Sequence, residues 1–223
     1  MATAFLNDGL YAECLSVTDA ALAESPSDLG IRNLKGVCLM ELGRLKEAEP
    51  ILLGICKESN TPECWNNLAS LYQRMKNFPK CMETSSKALE FYSYTNPENA
   101  LSNRALCLLD AHKNIEAQAA AEQAKAKNAS SCAVRIVLIK SMLRRGATDE
   151  AIQESSVTLS LCPAEPRAHF WRAYVLFKNG QKNDAYKIYR YIVEQFRRGE
   201  IVEASKSNIE LLENRIPIPE PTL

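Results

Sequence analysis

Between Pro62 and Ala88 the apolar positions follow two helical registers separated by a short polar break. Trp65, Leu68, Ala69 and Tyr72 are spaced three, one and three residues apart, which puts them on one face of a helix turning once per 3.6 residues. Lys76 and Asn77 interrupt the pattern, and Phe78 opens a second apolar series. Pro79 fits the first turn of a new helix, where its missing N–H costs nothing. The small residues Ala69 and Cys81 then fall where two antiparallel helices come closest.

The same spacing recurs along the chain. The small residue early in each second helix reads Cys14, Ala48, Cys81, Ala117, Ala151 and Ala185, in steps of 34, 33, 36, 34 and 34. The close-packing residue of the first helix reads Gly36, Ala69, Ala105, Ile139 and Ala173, in steps of 33, 36, 34 and 34. Gly9, Gly43, Gly146 and Gly180 each precede the small residue by five, and Pro26 and Pro163 each follow it by twelve. The pattern departs most at Ile139 and around His112, Asn114 and Ala117.

With Ala69 and Cys81 in place of the usual Gly and Ala, Trp65, Leu68, Tyr72 and Ala88 resemble the tetratricopeptide-repeat pattern, and the resemblance covers residues 1 to about 199. It implies an all-α fold, a right-handed α–α superhelix of about six helix pairs in which each unit touches only its neighbours. Residues 1–199 form this solenoid, with the first repeat incomplete because residues 1–8 offer barely a turn before Gly9. Phe5 and Leu6 read as the end of a missing helix, so the chain is expected to be a segment of a longer protein or to pack its open end on another subunit. Residues 200–215 read as a capping helix and 216–223 as a proline-rich extended tail, a linker or a docking strand.

Lys plus Arg and Asp plus Glu balance at 27 each, so no global field draws nucleic acid or an anionic membrane. The pairs Arg144-Arg145 and Arg197-Arg198 read as solvated helix ends. No stretch is apolar for long enough to cross a bilayer, and no basic segment followed by an apolar run opens the chain. The eight cysteines are spread evenly and several occupy small repeat positions, which reads as reduced thiols acting as small hydrophobes. The cytoplasm, with the nucleus as an alternative, is the expected location.

Little in the sequence suggests chemistry. No phosphate-binding glycine loop, nucleophile elbow, C-x-x-C or Cys/His pair at zinc spacing occurs, so neither enzyme activity nor a cofactor or metal is expected. His112 takes the turn position that glycine fills elsewhere, and His169 reads as an ordinary surface or groove histidine.

What remains is the concave face, which in the resembled family is lined by first helices and receives a peptide. The residue two before the close-packing position reads Leu34, Asn67, Asn103, Val137 and Trp171; its neighbours include Asn33, Asn66, Ser70, Asn99, Arg167 and Tyr174. A carboxamide can bond both the N–H and the C=O of a peptide, so the expected function is a non-catalytic scaffold that holds a protein or peptide partner in an Asn-lined groove. The alternatives are a structural subunit of a larger multiprotein assembly with the groove unused, and a targeting-signal or chaperone-tail receptor. The last lacks the groove cations that would clamp an acidic C-terminus: the corresponding places hold Asn33 and Val37, Ala133 and Val137, or Asn66 and Ser70.

Overall fold

The computed structural model describes residues 1–196 and 199–221; the Arg197-Arg198 pair and the last two residues of the proline-rich stretch lie outside them. The described residues form thirteen helices and no strand, in an α–α superhelical arrangement. They divide into two compact units, Met1–Lys113 and Asn114–Leu223. The first holds α1 (Ala2–Asn7), α2 (Tyr11–Glu24), α3 (Leu29–Glu41), α4 (Leu45–Ser59), α5 (Pro62–Arg74), α6 (Phe78–Leu89) and α7 (Pro97–Asp110). The second holds α8 (Asn114–Lys127), α9 (Cys132–Arg144), α10 (Thr148–Leu161), α11 (Pro166–Lys178), α12 (Lys182–Gln195) and α13 (Glu200–Glu213).

The odd-numbered helices end alike. Just past the ends of α1, α3, α5, α7, α9 and α11, residues Gly9, Gly43, Lys76, His112, Gly146 and Gly180 have φ of 74, 72, 55, 59, 80 and 81°. The left-handed residue lets two successive N–H groups turn back to orphan carbonyls, as where Gly43 N bonds Met40 O at 3.1 Å and Arg44 N bonds Leu39 O at 2.9 Å. Lys76 and His112 make the same turn without glycine, at a cost of about 1 kcal/mol each. α13 ends this way too: Arg215 has φ 58° and Ile216 N bonds Leu211 O at 2.8 Å. It is therefore built as another first helix, and it touches α11 as well as α12.

Within the first unit α1 touches α3, α3 touches α5 and α5 touches α7; within the second, α9 touches α11 and α11 touches α13. Among the described residues, second helices contact only first helices. The first helices thus form the tighter, inner layer of each unit.

The small residues of the second helices, Cys14, Ala48, Cys81, Ala117, Ala151 and Ala185, are all fully buried. One turn later Leu52, Ser85, Ala121, Ser155 and Tyr189 are fully buried as well. A Cβ on Gly36 would lie 2.6 Å from Leu52 Cδ2, so Leu52 fills the space that Gly36 leaves. In the repeat where the first-helix position is Ile139, the residue matching Leu52 is only Ser155. Large Ile139 with small Ser155 reverses the order of small Gly36 with large Leu52.

The expectation of reduced thiols is corrected: all eight cysteines are paired, Cys14–Cys38, Cys56–Cys64, Cys81–Cys107 and Cys132–Cys162, with Cα–Cα distances of 6.0, 5.4, 6.4 and 6.1 Å. Cys14 and Cys81 do occupy the small positions, but each faces a cysteine on the next first helix. Stacking brings partners together that lie 24 and 26 residues apart. In the loop after α6, Tyr94 packs on Ala88 and Ala100, while Tyr92 is fully exposed.

Candidate interaction surfaces

On the inner face of the first unit the asparagines meet one another. Asn67 Nδ2 on α5 donates to Asn33 Oδ1 on α3 at 2.8 Å, and Asn103 Nδ2 on α7 donates to Asn66 Oδ1 at 3.0 Å. The slot residue of one repeat thus reaches the residue just before the slot in the preceding repeat. Toward the C-terminal ends of these helices the layer is tied again, by Arg74 to Met40 O at 3.0 Å and to Glu41 at 2.5 Å, and by Gln73 to Asp110 at 3.0 Å. All four asparagines are half-buried. Among the described residues the Oδ1 atoms of Asn67 and Asn103 accept no bond, so each carboxamide keeps an acceptor for another molecule. Ser70 is half-buried one turn on from Asn66, and Asn99 is exposed one turn before Asn103.

The inner face of the second unit is aromatic and covered. Trp171 and Tyr174 on α11 pack edge to face with centroids 5.7 Å apart and are 2% and 4% exposed. Residues 216–221 leave α13 in an extended form; Ile218 is 6% exposed, and Arg144 Nε at the end of α9 donates to Glu220 Oε1 at 2.5 Å. A residual cleft of about 160 Å³ is lined by Lys140, Arg144, Trp171, Tyr174, Lys178 and Ile218, among others. Lys140 Nζ sits 4.8 Å above the Trp171 ring. Burial pushes the Tyr174 phenol up to about 12, with the Glu220 carboxylate adding to the shift. Arg167, expected on this face, is exposed in the first turn of α11, where its N–H donates to Glu165 at 3.2 Å.

His169 is not a groove residue: its Nε2 lies 2.8 Å from Pro163 O and its ring packs against Tyr191 and Phe196. Sequence reasoning missed a buried ion cluster, in which Glu154 on α10 is bonded by Arg135 of α9 and, at 2.7 Å, by Lys125 of α8. Nothing in the spacing marks it, since the three residues lie on different helices. Among the described residues no three His, Cys, Asp or Glu side chains converge as a metal site, and no helix is long and apolar enough to cross a membrane.

Two tetratricopeptide-repeat profiles match in tandem, over residues 1–61 and 62–93. Over residues 1–93 the chain carries tetratricopeptide repeats. Solved structures show the same fold over nearly its whole length. A tetratricopeptide repeat protein from Parabacteroides merdae is 18% identical, with 96% of this chain and 84% of that one covered at a TM-score of 0.68. PilW, a type IV pilus biogenesis factor, is 16% identical over 91% and 93% of the two chains, at 0.72. A chain of the APC/C hetero-tetramer Cut9–Hcn1 is 15% identical over 96% of this chain and 42% of its own, at 0.74. Comparison with curated proteins finds no significant sequence match.

Proposed function

We propose that this tetratricopeptide-repeat protein is a protein-interaction scaffold whose first unit holds the main chain of a partner segment along Asn33, Asn66, Asn67 and Asn103. The observation that carries the reading is the asparagine ladder, which presents half-buried carboxamides on three consecutive inner helices with acceptors left over. Acceptors at a repeat-to-repeat spacing suit the N–H groups of an extended or helical segment. The fold is shared with proteins that belong to assemblies, such as the Cut9–Hcn1 hetero-tetramer, which agrees with a scaffold role.

The test is the double substitution Asn67→Ala and Asn103→Ala, with Lys57→Ala on the exposed side of α4 as control. Partners are recovered by affinity purification and quantified by mass spectrometry, beside a melting curve for each protein. Each lost bond contributes on the order of 1 kcal/mol. Partner recovery should fall about ten- to a hundredfold in the double variant and stay at the parent level in Lys57→Ala. Undiminished recovery by a folded double variant contradicts the groove and favours an assembly subunit whose inner face is unused.

A further inference from the structure

We propose that the inner face of the second unit is a second peptide site, filled in cis by residues 216–221, and that it takes in trans an extended, proline-containing segment with an aliphatic residue two positions before an acidic one. This rests on observations separate from the asparagine ladder. The segment lies on α9 and α11 as a ligand would, since alternate side chains of an extended chain point to opposite sides. Ile218 is buried while Ile216 and Pro217 are exposed, and Glu220 reaches Arg144.

The attachment is light. Pro217, Pro219 and Pro221 have no N–H to donate, and among the described residues residues 217–221 make no main-chain hydrogen bond to α9 or α11. Ile218 anchors them, and Glu220 pairs with Arg144 through a carboxylate that is 53% exposed. The receiving face asks for more than it is given. Trp171, which lines the cleft, has its indole N–H buried without an acceptor, although buried donors are nearly always paired. Lys140, Arg144 and Lys178 line the same cleft, so its rim is basic. A segment of this chemistry that also offers the Trp171 N–H a carbonyl or carboxylate oxygen would outcompete the cis occupant. Proline-rich segments suit exchange, because they are already extended before binding.

The test uses the full chain, a chain ending at Arg215, and the full chain carrying Ile218→Asp, which unseats the segment without removing it. The probe is a labelled synthetic peptide of residues 214–223, followed by fluorescence anisotropy. The truncated chain and the Ile218→Asp chain should bind the peptide at least tenfold tighter than the parent. A peptide that itself carries Ile218→Asp, or Glu220→Lys, should bind the truncated chain at least tenfold more weakly, and added salt should weaken the wild-type peptide. Circular dichroism confirms the helix content of each chain. If both opened chains are folded and neither binds the peptide better than the parent, the segment is a structural strap and the proposal is overturned. Either result leaves the asparagine ladder untouched, because that face belongs to the first unit.

Discussion

The two inner faces are built from the same repeat and finish in opposite states. In the first unit the face carries asparagines that bond across helices and keep open acceptors. In the second the same positions carry Val137 and Trp171, and Ile218 lies over the aromatic layer. The ruler fixes where a face lies; the residues at two or three positions per repeat decide whether it is polar and open or apolar and in need of cover. An apolar inner face left in water forfeits about 25 cal/mol for every Å² exposed, so a segment of the same chain is a natural lid.

The covalent ties divide unequally as well, three disulfides in the first unit and one in the second. Bridges closing 24 to 30 residues contribute about 3 kcal/mol each by constraining the unfolded chain. Full reduction should therefore destabilise the first unit by several kcal/mol and the second by about 3 kcal/mol. Hydrogen exchange with and without reductant reads the two units separately. Equal losses, or none, would break the asymmetry.

The second unit relies on its ion cluster instead. Glu154→Ala would leave the buried Arg135 guanidinium without its carboxylate, at a cost of about 3–5 kcal/mol in thermal or denaturant unfolding of that unit. Reciprocal packing makes a smaller, sign-changing prediction. Ser155→Leu on its own should overpack the seam by about 1–3 kcal/mol, and adding Ile139→Gly should recover part of that loss. A double-mutant cycle with no coupling between the two positions would show that they do not share the space that Gly36 and Leu52 share.

The weakest effect is ionisation. Burial holds both Tyr94 in the first unit and Tyr174 in the second at about 12, above the ordinary phenol value of 10. A phenol whose folded pKa is raised contributes stability that is complete below pH 10 and lost as the pH climbs from 10 through about 12. In a spectrophotometric titration, ending the chain at Arg215 should move the Tyr174 transition toward 10, because its cover and the Glu220 carboxylate both leave. Tyr94 should stay where it is.

Much of the fold is legible in the residues because it obeys a local period. The glycine ruler, for instance, located His112 at the turn, where its φ is 59°. What the sequence hides is everything that depends on which repeat faces which. Asn67 and Asn103 read as ligand contacts, but their N–H groups are spent on Asn33 and Asn66, partners fixed by stacking and 34 or 37 residues away. Cys14 and Cys81 read as small hydrophobes because size explains their position, and the cysteine across the seam is visible only once the helices are stacked. Residues 200–215 read as a capping helix, and the first-helix turn that ends α13 at Arg215 carries no glycine to mark it. The contact of Glu220 with Arg144 joins residues 76 apart and has no local signature at all.

The contrast between an open and a covered inner face is measured most directly by hydroxyl-radical footprinting with mass spectrometry, on the full chain and on the chain ending at Arg215. Trp171 and Tyr174 should be protected in the full chain and become oxidised several-fold faster in the shortened one, while Trp65 and Tyr72 in the first unit keep their rates. Equal rates at Trp171 and Tyr174 in the two chains, with the helix content unchanged, would contradict that contrast.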